Sequence, residues 1–276
     1  MSGTLTLAAT PIGNFRDASP RLIEALQTFP FIAAEDTRTL VELLRRLQIE
    51  ASGTLVSYHE HNEKARVVKI IELLQHDHDV LVVSDAGMPT VSDPGFPLVQ
   101  AAIEANIPVT VIPGPSAVLT ALALSGLPSD SFSFEGFVPR KENQRHSFFT
   151  KLAHEQRTMI FFEAPHRIEK TIAMMVKVFG EDRQLVLARE LTKKFEEVRR
   201  GTCAEIFASL LKKSVKGEIV LVLAGFNGEE ISFENALEQV QTLVHDGLRL
   251  KDACKQVSSQ TGISSKELYN TTVIKR

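Results

Sequence analysis

The chain has 276 residues and a formal net charge of −3, and 43% of its residues are hydrophobic against 24% charged. This composition is ordinary for a globular protein, and the length suffices for one large domain or two medium ones. No apolar run approaches the ~20 residues that cross a bilayer. The net charge excludes a polycation, so any binding of nucleic acid would need a local basic patch.

The N-terminus and the two cysteines predict a cytoplasmic protein. The first residues lack the basic and apolar regions of a signal peptide. Cys203 and Cys254 lie in separate helical segments and have no metal or redox spacing. His59 and His61 are two residues apart and would face opposite ways in an extended chain, so no metal site is expected there.

Residues 1–119 predict a first α/β domain. Apolar runs predict five strands, at 4–9, 31–34, 55–58, 80–83 and 109–112. A helix follows each of them, and the first begins well, with Ser19 as the N-cap and Pro20 at the first helical position. The next helix should begin at about Thr39. Strand, loop and helix repeated five times indicate a largely parallel sheet.

The stretch 80–95 is the first candidate for a ligand site. Four consecutive apolar residues, Val80 to Val83, run into a loop rich in Gly, Pro and Asp. Open α/β sheets bind ligands outside the carboxyl ends of their strands. Asp85 could accept hydrogen bonds there, and Gly87 would let a ligand approach the backbone. Four further strand-end loops, at 10–14, 35–38, 57–63 and 113–117, should converge on the same edge. Neither the dinucleotide fingerprint nor a P-loop is present in the sequence.

Residues 120–227 predict a second α/β domain, whose strand order the pattern does not give. Strands are expected at 132–138, 158–163, 185–188 and 219–223, and helices at about 166–179 and 203–211. The polar, basic segment 139–146 is expected to be an exposed loop. Beyond a linker at 225–230, residues 228–276 predict three short helices that resemble a helix-turn-helix unit. A helical cap or dimer prop is the alternative interpretation of this extension.

An ordered set of motifs carries a family resemblance over about residues 4–225. The motifs are TPIGN at 10–14, AEDTR at 34–38, SDAGMP at 84–89, SDPG at 92–95, PGPSA at 113–117, GLPS at 126–129, FEGF at 134–137, FEAPHR at 162–167, ARELTK at 188–193 and KGE at 216–218. Together they resemble the ribosomal RNA small subunit methyltransferase I (RsmI) family of the tetrapyrrole-methylase superfamily. Some members of that family also carry a helix-turn-helix extension.

The resemblance implies a two-domain tetrapyrrole-methylase-like fold with S-adenosylmethionine (SAM) in the cleft between the domains. It further implies a homodimer that methylates the 2′-hydroxyl of a cytidine in the decoding centre of 16S ribosomal RNA. Related methylases have Asp where this chain has Met88, so Asp85 is expected to supply the polar contact. Carried over by position, the SAM contacts are Pro11, Asp85, Gly87, Ser116, Ala117, Glu163, Ala164, Leu191 and Gly217.

A ribose hydroxyl is a poor nucleophile, so a base that takes its proton would help the reaction. The carboxylates and imidazole expected to handle the proton or orient the substrate are Glu35, Asp36, His59 and Glu163. For Glu35 and Asp36 the alternative is ion pairing with Arg38. The cations expected to hold RNA phosphates are Arg38, Arg140, Lys141, Arg145, Arg167, Arg189, Lys193 and Lys194, with surface ion pairs as the alternative for each arginine.

Two other functional classes stay open from the sequence. One is a SAM-dependent methylase of a tetrapyrrole or another small molecule. The EDTR, APHR and ARELTK motifs weigh against it, and the basic segment from Arg140 to Arg145 suits RNA better. The other is a non-catalytic RNA-binding protein that keeps only the scaffold.

Overall fold

A computed structural model describes residues 2–59, 61–212, 215–228, 233–261 and 263–274. The chain forms two compact units. The first contains residues 1–124 together with 188–198 and 217–220, and the second contains 125–187, 199–216 and 221–276. The predicted α/β class is confirmed, whereas the division at 119 and 227 stays a prediction. Within the described residues, no helix is long and apolar enough to span a membrane.

The first unit alternates strands and helices as the sequence predicts. Its strands are β1 (Leu5–Ala8), β2 (Phe31–Ala34), β3 (Thr54–Ser57), β4 (Val80–Val83) and β5 (Val109–Ile112). Its helices are α1 (Pro20–Thr28), α2 (Thr37–Leu47), α3 (Glu63–Gln75), α4 (Phe96–Glu104) and α5 (Ala117–Ser125), with a short 3₁₀ turn at Phe15–Asp17. Ser19 caps α1 as expected, because its side chain accepts the Leu22 N–H at 3.1 Å.

The five strands form one parallel sheet in the order β3-β2-β4-β1-β5. β4 is buried along its whole length, which explains its unbroken apolar sequence. The side chains of α1 and α2 pack with one face of the sheet, and those of α3 and α4 pack with the other. The connections that leave the neighbouring strands β1 and β4 therefore run to opposite faces. Such a switch point is where doubly wound sheets form a ligand crevice.

The second sheet has the order β6-β7-β10-β8-β9. Its strands are β6 (Phe132–Phe137), β7 (Thr158–Glu163), β8 (Gln184–Arg189), β9 (Glu197–Thr202) and β10 (Ile219–Leu223), and the accompanying helices are α6 (Glu142–Leu152), α7 (Ile168–Phe179) and α8 (Cys203–Lys212). β6 and β7 are parallel, with a register shift between Phe134 and Phe137.

The expectation of an exposed loop at 139–146 is wrong, because α6 begins at Glu142. Phe149 of this helix is fully buried and its ring lies 5.8 Å from that of Phe161 and 5.3 Å from that of Phe179. This apolar anchoring stabilises a helix whose first turn is entirely polar. Arg145 consequently lies inside α6 with 4% of its surface exposed, rather than in a solvated loop.

The C-terminal helices are α9 (Phe233–His245), α10 (Leu250–Thr261) and α11 (Ser265–Ile274). They share a small apolar cluster that includes Val240, Cys254, Val257 and Leu268. The three predicted helices are thereby confirmed. The end of the predicted linker, residues 229–230, lies outside the described residues.

Candidate functional site

The loops that follow β1 and β4 are joined to each other at the switch point. The N–H of Thr10 donates to the Gly87 carbonyl at 2.9 Å, and the N–H of Gly87 donates to the Thr10 carbonyl at 3.1 Å. The Thr10 hydroxyl donates to the Ser84 carbonyl, and the Ser84 hydroxyl donates to the Gly87 carbonyl, both at 3.1 Å. Two of the predicted ligand loops therefore form one rigid platform.

Gly87 has a φ of +82°, a conformation that side chains disfavour. A Cβ there would lie 3.6 Å from Ile12 and 4.0 Å from the Pro115 carbonyl oxygen. Pro11, the other predicted contact in this region, is a buried residue of the loop after β1. The loop after β5 thus approaches the platform, as the predicted convergence of strand ends requires.

An open groove of about 810 Å³ borders this platform in the first unit. Its lining consists of Asp17, Gly114, Pro115, Ser116, Leu119, Thr120, Ala123, Leu124 and Glu196. Ser116 stands at the start of α5: its carbonyl accepts the Thr120 N–H at 2.9 Å and its hydroxyl accepts the Leu119 N–H at 3.5 Å. The groove lies within the volume range typical of small-molecule sites.

Carboxylates gather at the carboxyl ends of β2 and β4. Asp85 accepts the backbone N–H of Asp36 at 3.0 Å, and its own N–H donates to Glu35 at 3.5 Å. Desolvation, followed by the charge of Asp85, raises the pKa of Glu35. Desolvation also raises the pKa of Asp85. The predicted residues Glu35 and Asp85 therefore meet, and both hold protons more tightly than an ordinary carboxylic acid.

Asp93, which the sequence analysis did not select, belongs to the same cluster. Desolvation, together with the charges of Glu35 and Asp85, raises its pKa to about 7. The loop that carries Asp93 also holds Thr90 and Ser92 at positive φ, of 75° and 64°. Left-handed backbone at residues other than glycine concentrates at functional sites.

Replacement of Asp93 by asparagine should make the stability of the protein less dependent on pH. Because the folded chain binds this proton more tightly than the unfolded chain, Asp93 favours folding below its ordinary pKa of 3.8. That contribution is lost as the pH rises through about 7. Asp93→Asn should therefore unfold at a higher temperature than the wild type at about pH 8, with a smaller difference at about pH 5.

Thermal unfolding at the two pH values tests this prediction, with the exposed Asp130→Asn as the matched control. An equal shift of the melting temperature at both pH values would contradict it.

Asp36 and Arg38 form a local pair at the start of α2. Asp36 is the N-cap: its side chain accepts the Arg38 N–H at 2.8 Å and forms an ion pair with the Arg38 guanidinium at 2.6 Å. The hydrogen bonds from Arg38 lower the pKa of Asp36 to about 2. A carboxylate with so low a pKa is a weak base, which suits a capping and orienting role better than proton transfer.

His59 follows β3 and lies close enough to Glu35 for its charge to affect that carboxyl group. Its Nε2 lies 3.2 Å from the Asn62 side-chain amide. Its Nδ1 is buried and has no hydrogen-bond partner among the described residues. Nowhere among the described residues do His, Cys, Asp or Glu side chains form a group that could hold a metal ion.

Both carboxylate oxygens of Glu163, in the second unit, have partners within the protein. Its side chain is completely buried and forms an ion pair with Arg167. The Thr171 hydroxyl donates to one carboxylate oxygen at 2.5 Å, and the Ala164 N–H donates to the other at 2.7 Å. Arg167 also donates to the Val138 carbonyl at 3.2 Å. Glu163 thus fixes the turn that contains Ala164, and it has little capacity left to accept a substrate proton.

The loop after β8, which carries Leu191, contacts the segment of Gly217 and Glu218 through Glu190. Glu190 has a φ of 49° and accepts the Glu218 N–H at 3.0 Å. Gly217 has a φ of 92°, and a Cβ there would collide with the Glu190 carboxylate. Thr192 accepts the N–H of Asn14 at 3.1 Å, so this loop also contacts the loop after β1.

The predicted RNA-binding cations differ in their availability. Arg167 and Arg189 are paired with Glu163 and Glu197, and Lys193 lies 3.2 Å from Glu190 and 2.9 Å from Glu218. Arg38 is paired but highly exposed. Of the predicted RNA-binding cations, those that are exposed and have no ion pair among the described residues are Arg140, Lys141 and Lys194.

The groove contains residues that sequence reasoning missed, notably Asp17, Thr120 and Glu196. The sequence does carry a signal for the groove residues of α5, because Ser116, Leu119, Thr120 and Ala123 recur at the helical period on one side of the helix. Glu196 carried no comparable signal, because the irregular loop 190–196 brings it to the groove.

Comparisons with known proteins identify the family of the chain. Residues 4–206 match the family model of tetrapyrrole (corrin/porphyrin) methylases. The chain is 44% identical over its whole length to a ribosomal RNA small subunit methyltransferase I of Mycobacterium tuberculosis, covering 96% of that protein. It is 42% identical to the Synechocystis protein of the same name, over 98% of each chain.

Among solved structures, a uroporphyrin-III C-methyltransferase of Thermus thermophilus, complexed with S-adenosylhomocysteine, has the same fold. The TM-score is 0.55 at 16% identity, over 80% of this chain and 97% of the other. The chain therefore belongs to the ribosomal RNA small subunit methyltransferase I family, within the tetrapyrrole methylases.

Proposed function

We propose that this chain transfers the methyl group of SAM to the 2′-hydroxyl of a cytidine in 16S ribosomal RNA. The observation that carries the proposal is the 44% identity over the full chain to a ribosomal RNA small subunit methyltransferase. Methylation of a tetrapyrrole is not favoured, because the likeness to the uroporphyrin-III enzyme is one of fold at 16% identity.

The residues of the first unit fit SAM. Gly87 and the platform of Thr10 and Ser84 offer backbone close to the groove, and Ser116 and Ala117 stand at the N-terminus of α5, where a carboxylate is favoured. The groove beside them is large enough for a nucleoside with an amino-acid tail. Asp17 and Glu196 in its lining suit an ammonium group or ribose hydroxyls. The contacts carried over to Pro11, Asp85, Glu163, Ala164, Leu191 and Gly217 remain part of the proposal.

When bound, SAM supplies an electrophilic methyl group, and the chain must orient the ribose hydroxyl and remove its proton. Glu35 is the best base among the predicted residues. Its pKa is raised, whereas Asp36 is held by Arg38 and Glu163 by Arg167. In the proposal Glu35 accepts the hydroxyl proton, His59 and Asp36 orient the substrate, and Glu163 positions its own turn.

The exposed cations Arg140, Lys141 and Lys194 provide the phosphate contacts that RNA affinity requires. Arg38 can join them by exchanging its exposed pair with Asp36 for a phosphate. The paired residues Arg167, Arg189 and Lys193 serve the site mainly by holding its loops. The homodimer implied by the resemblance and the cytoplasmic location predicted from the cysteines and the N-terminus both belong to the proposal. Sedimentation in solution tests the homodimer.

Thr120→Trp should weaken SAM binding at least tenfold, because the indole would occupy the groove one turn beyond Ser116. Calorimetry with SAM measures the dissociation constant. Gln100→Trp, an exposed position on α4, is the matched control and should bind SAM like the wild type. Unchanged affinity in Thr120→Trp would place the cofactor elsewhere.

The proposed reaction is tested with SAM carrying a labelled methyl group. We expect the label to enter 16S RNA, naked or within small subunits, taken from a strain that lacks this methyltransferase. Uroporphyrinogen III serves as the competing acceptor. Label in the tetrapyrrole alone would favour the small-molecule reaction. A protein that binds RNA but does not bind SAM would be a non-catalytic RNA-binding protein.

A further inference from the structure

Arg145 is a buried cation that lacks an anion. The residue is only 4% exposed, yet its Nε has no hydrogen-bond acceptor. Its side chain forms no ion pair or hydrogen bond with any of the residues that the structure describes. From the sequence Arg145 is expected to hold an RNA phosphate from an exposed loop, whereas the structure places it inside α6.

Buried guanidinium groups normally have compensating partners. Two others in the same unit illustrate this. Arg167 is paired with Glu163, and Arg183 donates to the carbonyls of Ala153 and Ala224, both at 3.2 Å. The uncompensated burial of Arg145 therefore points to an anion that binds to it.

The position of Arg145 in its helix indicates where that anion would bind. Arg145 is the fourth residue of α6, and helical side chains lean toward the N-terminus of their helix. Lys141 is the N-cap and makes no side-chain capping bond, so its side chain leaves the N–H groups of the first turn unbonded. Free N–H groups and the positive end of the helix dipole both favour an anion.

We propose that Arg145 and the N-terminal turn of α6 bind a backbone phosphate of the RNA substrate. This inference rests on the proposed function and adds a specific contact to it. The guanidinium offers the paired donors that suit phosphate oxygens, and the turn offers backbone N–H groups. Exposed Arg140 and Lys141 precede the turn and extend the positive surface toward neighbouring phosphates, as a polynucleotide would require. Glu142 is the acidic residue of the turn, and it is exposed.

Arg145→Met tests the proposal in the full-length protein, with Lys151→Met as the matched control. Lys151 is an exposed cation in the last turn of the same helix. The affinity for 16S RNA is measured over a salt series. Arg145→Met should bind about tenfold more weakly, because a charge-assisted phosphate contact is lost. The slope of log affinity against log salt should fall by about one. Lys151→Met should change neither value.

The melting temperature separates this role from a structural one. Because the guanidinium is uncompensated without a ligand, Arg145→Met should unfold at the wild-type temperature or above it. Inorganic phosphate should raise the melting temperature of the wild type but not that of Arg145→Met. An RNA affinity and salt slope equal to those of the wild type would overturn the proposal. This result would overturn the proposal even if inorganic phosphate still stabilised the wild type, because the site would then bind a free anion and not the RNA.

Amide hydrogen exchange of residues 142–144 in the wild type gives a second test that needs no variant. RNA should slow this exchange, and unchanged exchange at saturating RNA would overturn the inference even if Arg145→Met failed to fold. The proposed function fails separately, if the wild type transfers no methyl group to RNA. If the wild type methylates RNA and Arg145→Met has the same KM for RNA, only the proposed phosphate site is wrong.

Discussion

Glu35→Gln should lower the rate of methyl transfer by about 10²–10⁴-fold, the usual contribution of a positioned general base. Glutamine keeps the size of the side chain and can accept a hydrogen bond, but it cannot take up the hydroxyl proton. SAM affinity should stay unchanged, since Glu35 lies outside the lining of the groove. Single-turnover rates with 16S RNA, paired with SAM calorimetry, measure the two effects.

The same residue should control the acid limb of the pH profile. Desolvation and Asp85 raise the pKa of Glu35, and a base works only when it is deprotonated. The rate should therefore decrease as the pH falls through a value above the ordinary glutamate pKa of 4.5. Glu104→Gln, at the exposed end of α4, is the control. A Glu35→Gln enzyme that methylates RNA at the wild-type rate would remove Glu35 from the mechanism.

Glu163→Ala should lower the free energy of unfolding by about 3–5 kcal/mol, the usual cost of breaking a buried ion pair. The substitution leaves the mostly buried Arg167 without its carboxylate and the Thr171 hydroxyl without its acceptor. Urea unfolding of the full chain measures the effect. Glu155→Ala is the matched control, because Glu155 pairs with an arginine at the surface and should cost at most about 1 kcal/mol.

A double variant separates the ion pair from the packing around it. Removal of both charges in Glu163→Gln/Arg167→Met should restore part of the stability lost in Glu163→Ala, because no unpaired charge remains. Equal losses for Glu163→Ala and Glu155→Ala would mean that the buried pair does not anchor the turn. Glu163 would then be free for the catalytic role expected from its motif.

The parallel sheet of the first unit could be predicted because its signals are local. The apolar runs Phe31–Ala34, Val80–Val83 and Val109–Ile112 all match observed strands. Ser19 and Pro20 mark the start of α1 in the sequence. The convergence of the loops also followed, since parallel strands place their carboxyl ends on one edge.

The features that sequence reasoning missed depend on contacts between distant residues. The first turn of α6 is polar, and the helix is anchored by Phe149 against Phe161 and Phe179. The predicted exposure of Arg145 was wrong for the same reason, because the helix rather than a loop sets its burial. Glu163 and Arg167 are only four residues apart, but the burial of their ion pair depends on the fold and was not predicted.

The site of methylation is the most direct test of the central claim. Wild-type protein is incubated with SAM and 16S RNA from a strain that lacks the modification, and the RNA is digested to nucleosides for mass spectrometry. We predict one new product, cytidine carrying a methyl group on its 2′-oxygen. A methyl group on a base, or no methylated nucleoside despite SAM binding, would contradict the proposed reaction.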